Sequence, residues 1–258
     1  MLYPLFSYFK FILKSTNRHG IHSPFVYKLV DDCFRKPTDK QLVNQWKSIR
    51  KDLLDNTTEI EVTNFGADSR IFSSNKKKVN AIVKHFGIRK KRAELLIRLV
   101  DYFQTKNILE IGTSVGLASS AMSIGNSNSN IIALEECPET SKIATNNFNK
   151  YKLKNISLCV GEFSKTLTDK LKNNHFDLIF IDGNNSKEAT INYFSLISSY
   201  INNDTVLIFN NIHRSNDMEE VWQEIIKNKN VTVSIDTFQW GIVFFRKGQE
   251  KEHFIIRI

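Results

Sequence analysis

Residues 108–116 read Ile-Leu-Glu-Ile-Gly-Thr-Ser-Val-Gly. A short apolar run ends in a glycine loop, and a helical stretch follows at 116–124. The run predicts a strand covered on both faces, because a half-exposed strand would alternate apolar with polar residues. The same unit recurs downstream. Ile131–Leu134, Ile156–Val160, Leu178–Ile181 and Val206–Phe209 are short and rich in aliphatic residues. Between and after them lie 138–151, 163–173, 187–201 and 215–228, each long enough for a crossover helix. Strand–helix alternation implies right-handed crossovers. The expected fold is therefore α/β, a Rossmann-like, doubly wound, mostly parallel sheet. The tail differs, because Val231–Ile235, Trp240–Phe245 and Phe254–Ile258 follow one another without helices. They predict antiparallel strands added at one side of the sheet.

Upstream of about residue 105 the pattern is helical. Leu42, Val43, Trp46, Ile49 and Leu53 recur at helical spacing in Asp39–Leu54, and Val79–Phe86 and Arg92–Phe103 predict two more helices broken at Gly87. Residues 56–75 are polar and predict a loop. The expected organisation is a helical N-terminal extension, 1–104, packed on or capping a ligand-binding domain, 105–258.

In a doubly wound sheet ligands sit outside the carboxyl ends of the strands, at the switch point. Gly112 permits a tight turn and a close approach, and Gly116 lets the next helix begin against the strand. That helix start offers unpaired N–H groups to an anionic ligand group. Glu135 closes the second strand, where an acid accepts hydrogen bonds from ribose hydroxyls. The third strand ends at Gly161-Glu162, the fourth at Asp182-Gly183, and the fifth at Asn210-Asn211-Ile212-His213. A polar group at every strand end is harder to attribute to chance than any one of them.

The stretches LEIGTSVG, ALEECPE, GEF, FIDGN and FNNIH resemble the motifs of class I S-adenosylmethionine-dependent methyltransferases of the small-molecule O-methyltransferase type. The resemblance covers about residues 95–246, and IHSPF and GADSR resemble the extension of bacterial relatives. It implies S-adenosylmethionine as cofactor, held by Glu110, Gly112, Thr113, Ser114 and Gly116 of the loop, with Ser114 replacing the middle glycine. Glu135 corresponds to the ribose-binding acid, Glu162 faces the adenine amino group, and Asp182 lies beside the methyl donor. The implied acceptor is a hydroxyl of a small molecule, with His213 as base and Asp182 as second candidate. Catechol-type members bind Mg²⁺ through an acid after the fourth strand and an Asp-Asn pair after the fifth. Here the pair is Asn210-Asn211, so one carboxylate is missing and a metal-independent reaction is expected.

Composition bounds the alternatives. The net charge is +9, with clusters at Lys76–Lys78 and Arg89–Arg92. Such runs are read as solvated helix faces, and without interleaved aromatic residues no nucleic-acid partner is expected. Three widely spaced cysteines argue against a disulfide framework and for a cytoplasmic protein. Leu2, Leu5, Phe6, Phe9, Ile12 and Leu13 form an apolar helical face beside Lys10 and Lys14. That segment is too short to span a bilayer but suits packing on the domain or on a partner subunit, as in a homodimer, or peripheral membrane contact. A methyltransferase acting on nucleic acid or protein is one rival, though Ile181-Asp182-Gly183-Asn184 is not the Asn/Asp-Pro-Pro-Tyr motif of amino-group methylases, and two others remain. One is a non-catalytic cofactor-binding or interaction protein. The other is a nicotinamide-dependent dehydrogenase, suggested by the glycines with Tyr102 and Lys106.

Overall fold

The computed structural model describes residues 2–63 and 75–258. The chain opens with α1 (Leu2–Lys14), α2 (Pro24–Leu29), α3 (Lys40–Asp55), a strand pair β1 (Glu59–Glu61) and β2 (Lys76–Lys78), then α4 (Val79–His85) and α5 (Lys90–Tyr102). The alternating part follows as β3 (Asn107–Ile111), α6 (Leu117–Gly125), β4 (Asn130–Glu135), α7 (Pro138–Lys150), β5 (Ile156–Val160), α8 (Phe163–Asn173), β6 (Leu178–Ile181), α9 (Lys187–Ile197), β7 (Val206–Asn210) and α10 (Asn216–Lys227). The tail supplies β8 (Val233–Asp236), β9 (Trp240–Phe244) and β10 (Glu252–Ile255).

Eight strands form one sheet in the order β10-β8-β9-β7-β6-β3-β4-β5. The strands β7, β6, β3, β4 and β5 pair in parallel, as the continuous apolar runs require. The C-terminal strands join through the antiparallel pairs β7–β9 and β9–β8, and β10 lies parallel to β8. Alternate residues of each strand enter two hydrophobic layers. Ile108, Ile131, Leu178, Phe180, Ile208 and Ile242 face a layer shared with α3, α4, α5 and α6. Leu109, Leu134, Ile179, Ile181, Phe209 and Val243 face α8, α9 and α10. The first layer is continuous from Val26 and Trp46 of the extension to Val233 of the tail, so the extension and the sheet share one core. Trp46 is tied in by a hydrogen bond from its indole N–H to the Leu117 carbonyl, 3.0 Å.

Local rules explain the helix starts. Asp39 caps α3, accepting from the N–H groups of Gln41 and Leu42, and Ser186 and Ser215 cap α9 and α10. Pro138 occupies the first turn of α7, where its missing N–H costs nothing.

Two sequence expectations change. Part of the 56–75 loop is β1, paired antiparallel with β2, and the GADSR stretch falls outside the described residues. The Lys76–Lys78 run is a strand, not a helix face, and its alternation turns Lys77 inward to 4% exposure while its neighbours face solvent.

α1 is held to the body by the Tyr3 hydroxyl, which donates to Glu219 Oε2 at 2.6 Å, and by Tyr8 and Phe11 against the Phe238 ring. Its outer face leaves Leu5, Phe6, Phe9 and Leu13 exposed, Leu13 by 86%. Among the described residues no helix is long and apolar enough to cross a membrane, and Cys33, Cys137 and Cys159 are free thiols.

Candidate active site

A cavity of about 500 Å³ opens over the carboxyl ends of β4, β3, β6 and β7 and reaches β9. Its size suits a small-molecule site. Its floor consists of loop residues whose backbone the sheet holds in uncommon conformations. Gly112 (φ +92°) must lack a side chain, because a Cβ there would come within 2.5 Å of the Gly183 nitrogen in the loop after β6. The close approach inferred from sequence is thus first an approach of two protein loops. Ser114, Asn184 and Asn211 also have positive φ, after β3, β6 and β7 respectively, and all but glycine pay for that conformation. Three such residues border one cavity, two of them asparagine, which enters this conformation more readily than most side chains.

Glu135 ends β4 and is 9% exposed. Its Oε2 accepts the Ser114 N–H at 2.6 Å and its Oε1 accepts the Cys137 N–H at 2.9 Å. Burial pushes its pKa up, and the backbone donors pull it back. Glu136 also borders the cavity and accepts the Phe163 N–H at 2.9 Å, which ties the start of α8 to the end of β4.

Asp182 ends β6. Burial raises its pKa to about 7, against opposing hydrogen bonds from Asn210 and Asn185. Asn210 is oriented without ambiguity. Its Oδ1 accepts the Trp240 indole N–H at 2.9 Å, and an indole can only donate, so its Nδ2 is left to donate to Asp182 Oδ1. The amide therefore presents hydrogens to the carboxylate at the place where the metal-binding pattern would put a second anion.

Of the residues expected from sequence, the structure brings Gly112, Ser114, Glu135 and Asp182 to the cavity. The others are displaced from its lining for identifiable reasons. Glu110 is fully buried beneath the loop, where its carboxylate accepts from Ser119 and Thr113, and burial raises its pKa to about 8. Thr113 is buried there too, also donating to the Leu134 carbonyl at 3.2 Å. Gly116 (φ +84°) makes room for Phe148 of α7, since a Cβ would lie 2.5 Å from that ring. These residues support the loop from behind. Glu162 is exposed and pairs with Lys165 at 2.9 Å.

His213 is the clearest correction. It does not border the cavity. Its Nε2 lies 2.7 Å from Asp236 Oδ2, its Nδ1 lies 3.5 Å from Glu219, and its ring stacks on Phe238. Burial opposes the protonated ring, but the two carboxylates prevail and its pKa is raised. Left-handed Asn211 turns the chain after β7, and His213 beyond it meets β8 and α10 rather than the cavity. Tyr102 and Lys106 do not border the cavity either, which removes the arrangement a dehydrogenase would need.

The extension supplies much of the remaining wall: Lys77, Phe86, Arg89 and Arg92, joined by Arg214 and Trp240 from the far end. The sequence reading missed these cations, having assigned their runs to solvent. Arg92 had a readable signal. It shares a helical stripe with Leu96 and Leu99, both buried, at spacings of four and seven residues.

Residues 109–212 match the family model Methyltransf_24, described as a methyltransferase domain. Similar solved structures are methyltransferases. The SAH-bound Podospora anserina methyltransferase PaMTH1 superposes with a TM-score of 0.59 at 14% identity, over 86% of this chain and 94% of that one. An O-methyltransferase from Bacillus cereus, in complex with SAH, gives 0.57 at 19% identity, over 86% and 97%. The O-methyltransferase TomG from Streptomyces achromogenes, in complex with SAM, gives 0.55 at 14%, over 86% and 95%. The chain shares the fold of these methyltransferases, and its central segment is similar to the methyltransferase-domain family model.

Proposed function

We propose that this chain transfers a methyl group from S-adenosylmethionine to a hydroxyl of a small molecule without a metal ion. The observation that carries the reading is Glu135. A buried carboxylate at the end of β4 is oriented by two backbone N–H groups beside a glycine loop, and it borders a cavity of suitable size. Its carboxylate borders the cavity, where a ribose hydroxyl would donate to it. The cofactor would bring an electrophilic methyl on a sulfonium, a cation that the carboxylates at this end of the cavity favour. Ser114 and Gly112 would border it, while Glu110, Thr113 and Gly116 would hold the loop that does so.

Asp182 is the better base candidate. It lies in the cavity, and a pKa near 7 suits proton transfer at neutral pH. Its amide partner Asn210 supports metal independence, because the hydrogens that Asn210 presents would repel a cation lodged between them. Among the described residues no cluster of His, Cys, Asp and Glu has a metal-binding arrangement. In this reading the extension, 1–104, acts as a cap over the sheet domain, 105–258. The exposed row on α1, flanked by Lys10 and Lys14, is a contact surface for a second copy or for a membrane. Sedimentation and flotation with anionic vesicles separate those two.

Calorimetry with S-adenosylhomocysteine tests the reading. Micromolar binding is expected. No binding to folded protein, or tight binding of NADH instead, overturns it.

A further inference from the structure

The cavity sets its carboxylates and the guanidinium of Arg92 at different strand ends, with Lys77 also in its lining. Glu135 and Glu136 stand at the β4 end and Asp182 at the end of β6. A belt of amides follows, Asn184, Asn185, Asn210 and Asn211. Beyond it, toward β9, the lining turns basic with Arg92 and Arg214 beside Trp240.

Arg92 is an unusual group in this setting. Its Nε donates to Gln239 Oε1 at 2.7 Å, and its Nη1 and Nη2 donate to the Thr237 hydroxyl and carbonyl, both at 3.1 Å. Its guanidinium lies 5.0 Å from the centre of the Trp240 ring. Every one of these partners is neutral. Burial pulls its pKa down to about 10 with no carboxylate to offset it. Arg214 lines the same cavity. A desolvated guanidinium costs free energy unless an anion joins it. Here the neutral partners fix the orientation of the fork, and the cavity is where the anion can arrive.

We propose that Arg92 and Arg214 form an anion-binding subsite, which holds the methyl acceptor through a carboxylate or phosphate group. The inference rests on the methyltransferase reading and narrows it to anionic acceptors. Two strand spacings separate β6, where Asp182 stands, from β9, roughly 10 Å in all. The acceptor therefore carries its hydroxyl and its anion at opposite ends of a molecule about that long. Arg89, exposed beside the same cavity, adds long-range attraction.

The test titrates matched probes into the whole protein, with and without saturating S-adenosylhomocysteine. The probes are 4-hydroxycinnamate, its neutral amide, and inorganic pyrophosphate. Wild type should prefer the acid over the amide by on the order of tenfold or more, the value of a charge-assisted contact. Stronger competition by pyrophosphate would assign the subsite to phosphate rather than carboxylate. Arg92→Gln should abolish the preference while S-adenosylhomocysteine still binds. Arg214→Gln, which removes none of the Arg92 bonds to Thr237 and Gln239, gives a second reading should Arg92→Gln not fold. No preference for either anion in wild type, or a preference unchanged in the folded variants, overturns the proposal. Failure of S-adenosylhomocysteine to bind wild type would instead overturn the methyltransferase reading.

Discussion

Replacing Glu135 by Gln tests the cofactor site most directly, because it changes charge and acceptor count while keeping shape. In the native protein each carboxylate oxygen takes one backbone N–H, from Ser114 at 2.6 Å and from Cys137 at 2.9 Å. An amide has only one acceptor oxygen. Its NH₂ must face one of those two donors, so one backbone N–H loses its partner, and a ribose hydroxyl on that side meets a donor instead of an acceptor. Hydrogen bonds to a charged group contribute about 1.5–3 kcal/mol. Loss of one such bond to the ligand predicts weaker S-adenosylhomocysteine binding by roughly 10- to 100-fold, at about 1.4 kcal/mol per decade. Glu135→Ala should weaken it further and also destabilise the fold by about 1–3 kcal/mol, since both N–H groups are then orphaned beneath a buried loop. Calorimetry supplies the affinities and thermal unfolding supplies the stabilities. A ligand cycle isolates the contact: an analogue lacking the ribose 2′-hydroxyl should lose little additional affinity in Glu135→Gln. An affinity within threefold of wild type in folded Glu135→Gln would refute the assignment of Glu135 to the ribose.

Three further outcomes are expected. Gly112→Ala should cost at least about 2 kcal/mol in urea unfolding, because φ is +92° and the new Cβ would press on the Gly183 backbone; wild-type stability would show that the two loops are not packed as described. Asn210→Asp should lower the melting temperature in EDTA at pH 8 by setting a second carboxylate against Asp182, and Mg²⁺ should restore it, whereas a Mg²⁺-dependent wild type would contradict the role given to the amide. His213→Gln should destabilise the protein more at pH 6 than at pH 9. The folded-state pKa of His213 is raised above the ordinary 6.5, so its pairing with Asp236 contributes fully below that value and is lost as pH rises through the raised one; a deficit independent of pH in thermal melts would remove the charged pair from the account.

The sheet was legible because a buried parallel strand leaves a mark that needs no partner to be read: Leu178–Ile181 is apolar throughout since both of its faces are covered. That Glu135, at the end of β4, and Asp182, just past β6, border the cavity was legible for a related reason, since the carboxyl end of a strand emerges at the edge where ligands bind. Beyond the strand ends, chain position stops determining direction. His213 lies only three residues past Asn210, yet the left-handed turn at Asn211 leaves it against Asp236 and Glu219. The charge runs failed differently. A run of like charges usually faces solvent, but periodicity acts on each residue separately. In Arg89–Arg92 the helix leaves Arg89, Lys90 and Lys91 exposed and turns Arg92 toward the Leu96 and Leu99 side. In Lys76–Lys78 the strand does the same to Lys77. Net charge is therefore a poor guide to where this protein's cations act. Arg92 gives up hydration to border a cavity that already contains three carboxylates, Glu135, Glu136 and Asp182. Coulomb attraction alone would draw such groups into ion pairs. Asn210 and Asn211, after β7, stand between β6 and β9 in the sheet order, and Asn210 satisfies the Asp182 carboxylate while Thr237 and Gln239 orient the Arg92 guanidinium. Asp182 and Arg92, each satisfied by neutral partners within one cavity, suit a ligand that is positive at one end of the site and negative at the other, which is what a sulfonium donor beside an anionic acceptor presents.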